Sequence, residues 1–469
     1  MGGAEEHPLG VKPASNALIL SSEEASRVLL GRFGLGRLAG VPEDVLLKVL
    51  GLLDVADLAR FSICSRLAYT FASADFLWKD LALGSWNPAE DFDFRGSWRL
   101  SVLHSDAKYT SDRGAIVLSD ALFRPFHYGN LDPDSNWLKR QEIEVRDADE
   151  GFSVDDFVRD FEIPNRPVLI KNALRKSWKA YEAWGDKPLC SGRRPSLRVL
   201  EGESKPFRVG PVDMRLCDFL QYSELQSEED PLYLFDCKFA DRVNRLSTDY
   251  EVPIYFRNTE THPARDMFEA MGSERRPDYR WLIAGAARSG SKWHVDPNGT
   301  HAWNAVISGS KRWIMYPPNS PPPGVTPSDD GADVTQPVSL MEWYVQFYDK
   351  QCAPVEFTAE AGDLVFVPSR WWHCVLNLDA CVAMTQNYIS SSNLRSSLRL
   401  MRDRPHQVSG LAQGRSRKEL YEEFRKALEK HHRGLLEAFD DDEAELERRK
   451  KARTVSRAPE DLAFSFSFF

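Results

Sequence analysis

In the run SGSKWHVDPNG an imidazole and a carboxylate, His294 and Asp296, stand two residues apart. In an extended chain residues i and i+2 share a face, so both donor groups can converge on one point. Further along, FVPSRWWHCVLNL carries His373 on a second strand-like segment. Two imidazoles and one carboxylate, one pair close in sequence and the third ligand distant, have the composition of a facial triad. Such a triad suits non-haem Fe(II), because it holds one face of an octahedron and leaves the other for substrate and oxygen. A zinc hydrolase also uses two His and one carboxylate, so the triad alone leaves the metal open.

The elements around the triad narrow the choice. WNAVISGSKRW reads as strand, tight turn at Ser308-Gly309-Ser310, then strand, with Lys311 and Arg312 opening the second arm. A lysine among apolar residues on a buried strand is costly unless an anion meets it, and a dicarboxylic co-substrate is such an anion. In MTQNYIS, Thr385 and Asn387 alternate onto one face where a core strand would carry aliphatics. DPLYLFD at 230–236 and RWLIAGAA at 280–287 are apolar strands expected to build the sheet leading to the His-Asp pair. FSVDDFVRDFEIPNRPVLIKNAL predicts a helix from Ser153, a turn at Pro164-Asn165 and a buried strand over 167–171, and Met341 to Tyr348 predicts a short helix. The proline- and acid-rich stretch 317–340 reads as a surface loop beside the pocket mouth, flexible filler more than substrate selector. His301 is expected to face solvent, and Trp371 and Trp372 to be core and pocket wall rather than an aromatic cage.

SGSKWHVDPNGTHAWNAVISGSKRWIMYPP together with GDLVFVPSRWWHCVLNLDACVAMTQNYIS resembles the Jumonji-C branch of the Fe(II)/2-oxoglutarate oxygenases. Within it the chain is similar to the bifunctional arginine demethylase and lysyl hydroxylase (phosphatidylserine-receptor-like) subgroup. The resemblance implies that His294, Asp296 and His373 bind Fe(II), and that Lys311 pairs with the far carboxylate of 2-oxoglutarate. Asn304, Thr385 and Asn387 would line the co-substrate pocket. Ser291 stands where the subgroup usually has threonine, and keeps the hydroxyl. The fold implied is mainly β with α, a double-stranded β-helix (cupin-like jelly roll). The reaction implied consumes 2-oxoglutarate and O2 and hydroxylates a substrate C–H. An N-methyl carbon is then lost as formaldehyde, whereas a methylene keeps its hydroxyl. The substrate expected is a protein with a Lys/Arg-rich segment.

The chain has 469 residues, enough for two or three domains, and its 42% hydrophobic content supports real cores. A formal charge of −10 speaks against nucleic acid and sits comfortably with basic protein substrates. Seven scattered cysteines with no CxxC pair point to a reducing compartment. The acidic start MGGAEEHPLG is no signal peptide, position 6 does not suit myristoylation, and no apolar run has transmembrane length. A nuclear or cytoplasmic location is expected, with no membrane partner.

From residue 38 the text changes to helical periods. Pro42-Glu43-Asp44 starts one helix, Asp57 a second, and Phe76-Leu77-Trp78 closes a third. This three-helix module resembles an F-box, with Val41-Pro42 in place of Leu-Pro and Tyr69 near the usual Trp. The resemblance implies a Skp-type adaptor and a cullin ubiquitin ligase docked on residues 38–83; an ordinary helical cap is the alternative. The resulting division is a flexible lead-in (1–35), the F-box-like module (36–84), an aromatic connector (85–150), the oxygenase domain (151–400) and a charged helical extension (401–469). The extension leaves open a homodimer, a solvated tail, or a localisation patch at Arg448–Arg453, while the final FSFSFF has no reading. The rival function is an F-box substrate receptor using the cupin mainly to bind.

Overall fold

A computed structural model describes residues 6–18, 20–21, 28, 33–106, 116–175, 177–184, 205–350 and 354–455. The FSFSFF tail and most of the lead-in lie outside the described residues.

Thirteen strands form the two main sheets. In chain order they are β1 (Val145–Asp147), β2 (Val168–Lys171), β3 (Pro206–Val209), β4 (Val212–Arg215), β5 (Leu234–Asp236), β6 (Arg280–Gly285) and β7 (Gly290–His294). Next come β8 (His301–Ser308), β9 (Ser310–Tyr316), β10 (Val355–Glu360), β11 (Leu364–Val367), β12 (Trp372–Asn377) and β13 (Cys381–Tyr388). The nine-stranded sheet runs β1-β2-β11-β8-β13-β6-β5-β3-β4, and the four-stranded sheet β10-β9-β12-β7. β6 to β13 thus divide four to each sheet, and every pairing among them is antiparallel. This is the expected double-stranded β-helix. The turn at Ser308-Gly309-Ser310 joins β8 to β9 and passes Gly309 through φ 77°, with the Ala380 carbonyl only 2.5 Å from where a Cβ would stand.

The approach to this core follows the sequence. Ser153 forms a capping box with Asp156 and starts the helix Val154–Phe157, which widens into a π turn at Val158–Glu162 before β2. The short helix near Met341 spans Leu340–Phe347.

The N-terminal module has four helices rather than three: Glu43–Leu50, Val55–Ser62, Arg66–Ala72 and Asp75–Gly84. Asp54, not Asp57, caps the second, taking the Asp57 N–H, and Ser65 caps the unforeseen third. Leu46, Leu58, Phe71 and the fully buried Trp78 form its interior, and the Trp78 indole N–H donates to the Ala72 carbonyl at 2.6 Å. The connector fastens this module to the oxygenase. Trp98 and Phe94 pack on Tyr222, and the Trp86 indole N–H donates to the Asp213 carbonyl. The lead-in is not loose throughout, because Val11–Lys12 pairs in parallel with Val117–Leu118 and buries Val11.

At the other end Leu420, Phe424 and Leu428 of the helix Glu419–His431 seat on Met267, Phe268 and Leu398. The acids that follow are not idle: Asp440, Asp442 and Glu443 pair with Arg425, Arg395 and Arg399. The extension therefore packs on the barrel at least to Glu443. Arg448, Arg449 and Lys450 pair with Glu445 and Glu447 of their own helix. Among the described residues no helix is long and apolar enough to cross a membrane.

Candidate metal centre

β12 lies between β9 and β7, and its register sets His373 opposite His294. Asp296 follows the end of β7 in extended conformation (φ −63°, ψ 144°), so it shares the face of His294. The ligand atoms of His294, Asp296 and His373 all lie within 4.8 Å of one another, the one such group of His, Cys, Asp or Glu among the described residues.

Each imidazole is held from behind. His294 Nδ1 lies 2.7 Å from the Lys292 carbonyl and His373 Nδ1 3.1 Å from the Trp371 carbonyl. A carbonyl only accepts, so Nδ1 carries the proton and Nε2 keeps its lone pair for a metal. Burial raises the Asp296 carboxyl to about 6, against the pull of His294. Burial and the neighbouring His294 push His373 well below its ordinary value. Asp296 Oδ2 is buried without a hydrogen-bond partner. Two imidazoles anchored through Nδ1 and an unsatisfied buried carboxylate oxygen fit a divalent cation.

The expected co-substrate residues share this pocket of about 230 Å³. Thr385 and Asn387 alternate on β13, and Asn304 projects from β8 with its buried Oδ1 unpartnered. Ser291 and His294 are three apart, and simple alternation would oppose them. An extra residue in β7 against β12, between the His294–His373 and Ser291–Val375 pairs, turns both into the pocket. Lys311 is buried on β9, its ammonium 2.8 Å from Asn377 Oδ1 and 3.1 Å from the Tyr233 hydroxyl. Both partners are neutral, which leaves the charge to be met by an anionic ligand.

Tyr233, Phe235 and Trp281 were not anticipated as pocket residues, nor Asn377 as a partner of Lys311. For Asn377 the signal was present, since it continues the period-two series from His373 and Val375 along β12. Phe235 of β5 stacks on Trp281 of β6, with centroids 5.4 Å apart and planes at 26°.

Two expectations are corrected. His301 is not at the solvent but 1% exposed, accepting the Ser369 N–H at Nδ1 and reaching Ser392 Oγ through Nε2. The 317–340 stretch is not mere filler: Gln336 bonds both the N–H and the carbonyl of Trp293, beside the first histidine, and Thr326–Pro327 pairs with Val334–Thr335. Of the tryptophan pair, Trp372 is buried in one core cluster and Trp371 packs on another, its indole N–H on the Asn165 carbonyl; both are core, and neither lines the metal pocket.

Burial lowers His301 to about 3 from 6.5. The unfolded chain therefore takes up a proton below pH 6.5 that the folded one refuses, so stability falls as pH drops from 6.5 towards 3. The upper limit of this contribution is about 5 kcal/mol. Urea midpoints measured across this window should fall more steeply for the native chain than for His301→Asn; parallel slopes would contradict it.

Fold and site define a cupin-like metal-dependent oxygenase. Residues 154–393 match the cupin-like domain family and residues 38–84 the F-box-like family. Arginine-specific demethylase JMJ22 of Arabidopsis thaliana is 38% identical over 480 residues, covering 99% of this chain and 89% of that protein. Bifunctional arginine demethylase and lysyl-hydroxylase psr-1 of Caenorhabditis elegans is 34% identical over 52% of this chain and 60% of its own length. The 2-oxoglutarate and iron-dependent oxygenase JMJD4 of Gallus gallus is 25% identical over 60% of this chain and 68% of its own. The chain belongs to the Jumonji-C Fe(II)/2-oxoglutarate oxygenases and carries an F-box-like module at its N-terminal side. It is an enzyme whose cofactor is Fe(II) and whose co-substrates are 2-oxoglutarate and O2.

Proposed function

We propose that the chain hydroxylates or demethylates lysine or arginine side chains in basic protein segments, histone tails among them. The observation that carries this is the aromatic wall of the pocket. Phe235, stacked on Trp281, remains 41% exposed beside the triad. An aromatic face in that position attracts a cationic side chain and packs on its methyl or methylene groups. The names of the Arabidopsis and nematode relatives agree with such substrates.

In this reading His294, Asp296 and His373 hold Fe(II). Lys311, steadied by Tyr233 and Asn377, meets the far carboxylate of 2-oxoglutarate, and Ser291, Asn304, Thr385 and Asn387 line the rest of its site. When bound, iron and 2-oxoglutarate activate O2 so that one oxygen atom enters a substrate C–H bond while the other leaves in succinate, with release of CO2. Trp313, Val375 and Ile283 line the same space and exclude water from it. The back-bonded imidazoles keep their tautomers and aim fixed through the cycle. The test is mass analysis of Lys/Arg-rich peptides, methylated and unmethylated, after incubation with Fe(II), 2-oxoglutarate and air. A gain of one oxygen, or loss of a methyl with formaldehyde, is expected; unchanged peptides beside continuing succinate release would contradict the substrate class.

The F-box-like module is proposed to bind a Skp-type adaptor and through it a cullin ubiquitin ligase. Leu52 and Ile63 are 86% and 83% exposed there, with Val45 and Val49 nearby in the first helix. Leu52→Asp with Ile63→Asp should abolish adaptor capture and leave succinate release unchanged; retained capture would place the adaptor elsewhere. A nuclear or cytoplasmic location and a homodimer through the C-terminal helices belong to the same proposal, to be read from cell imaging and sedimentation.

A further inference from the structure

A second cleft, of about 770 Å³, opens between the F-box-like helices, the connector and the oxygenase. Its floor is apolar, built from Leu47, Phe76, Phe94, Leu122 and Phe126. Its rim carries more carboxylates than cations: Asp44 and Asp80 from the F-box-like helices and Glu228, Glu229 and Asp230 from the oxygenase, against Arg124 and Lys79, the latter paired with Glu228. Glu229 is engaged by Arg124 and Asp230 by Lys292. Asp44 and Asp80 are exposed and form no ion pair among the described residues.

This cleft lies next to the metal pocket. One segment serves both cavities, with Ser227 to Asp230 on the cleft and Tyr233 and Phe235 on the pocket. Lys292, bonded to Asp230 at 2.7 Å, stands two residues before His294. Along an extended strand that is about 7 Å.

We propose that this cleft is the docking site for the basic flank of the protein substrate, the residues a few positions from the one held at the triad. The inference rests on the substrate class proposed above. Lysine and arginine lay aliphatic stems on apolar surface and keep their charged ends in water. An apolar floor with a carboxylate rim offers both halves of that arrangement, and its charge complements a basic segment. F-box-like module and oxygenase then read one substrate together, the first presenting Asp44 and Asp80 and the second the triad.

The test uses the whole chain and a fluorescently labelled Lys/Arg-rich peptide, beside an uncharged peptide of equal length. Because Asp44 and Asp80 are exposed and unpaired, Asp44→Asn with Asp80→Asn leaves the fold in place. The double variant should bind the basic peptide about tenfold more weakly at low ionic strength. The difference should shrink as salt shortens the screening length. KM for the long peptide should rise with it at unchanged kcat, while a short peptide holding only the target residue is unaffected. Equal binding by native and variant chains, or equal binding of the uncharged peptide, would overturn the docking site. A basic peptide that binds through Asp44 and Asp80, yet is neither hydroxylated nor demethylated, supports the docking site and defeats the proposed activity.

Discussion

Lys311→Met should raise the KM for 2-oxoglutarate at least about a hundredfold, the cost of removing one partner of a buried charge pair. Lys311 is 1% exposed and, among the described residues, its ammonium hydrogen-bonds only the Tyr233 hydroxyl and the Asn377 amide oxygen. Without co-substrate it is a buried cation resting on neutral groups, an expensive arrangement that the protein tolerates for binding. Methionine fills similar volume and needs no counter-ion, so the variant without ligand should melt at the same temperature or higher. Succinate release against 2-oxoglutarate concentration, beside a melting curve, reads both effects. An unchanged KM would remove Lys311 from the site, and a collapsed fold would make its role structural.

Arg312→Met should do the reverse, destabilising the fold by about 3–5 kcal/mol. Neighbours on a strand face opposite sides, and Arg312 points away from the pocket. Its guanidinium pairs with Glu356 at 2.7 Å, with both side chains fully buried, and donates to the Arg140 carbonyl. The Tyr348 hydroxyl donates to the same carboxylate. Loss of the arginine strands a buried Glu356 with only Tyr348 and the half-exposed Arg140 as partners. Arg312→Met with Glu356→Leu should recover much of the loss, because the stranded charge goes with the arginine. Urea unfolding of the two variants decides it. A single variant as stable as the native chain, or a double variant worse than the single, would contradict this account.

The two cations also show what was legible in advance. Period-two alternation placed His294 with Asp296, and Thr385 with Asn387, because strand geometry is nearly independent of context. Lysine on an apolar strand announced an anion through its desolvation cost alone. The capping box at Ser153 and the turn at Gly309 were equally local. What escaped depends on partners distant in sequence. His301 was expected at the solvent because Ser369 and Ser392, which satisfy its two nitrogens, come from other segments. Ser291 reaches the pocket only through the extra residue in β7, which is a property of the pairing with β12. Gln336 sits in a stretch of turn formers, and nothing local says that it will bind the backbone of Trp293. Tyr233 and Phe235 were read as strand text, but which face of that strand meets the pocket follows from how β5 pairs with β6.

The central claim is that His294, Asp296 and His373 hold iron for a 2-oxoglutarate-consuming reaction. Its most direct test is anaerobic titration of the whole chain with Fe(II) and 2-oxoglutarate, followed by admission of O2 and measurement of succinate, beside His294→Ala. The native chain should bind metal and co-substrate together and release succinate when O2 enters. The variant, with one of three ligands gone, should bind iron at least about tenfold to a hundredfold more weakly and release none. Succinate released equally by both, or by neither when a basic peptide is supplied, would contradict the assignment of the triad.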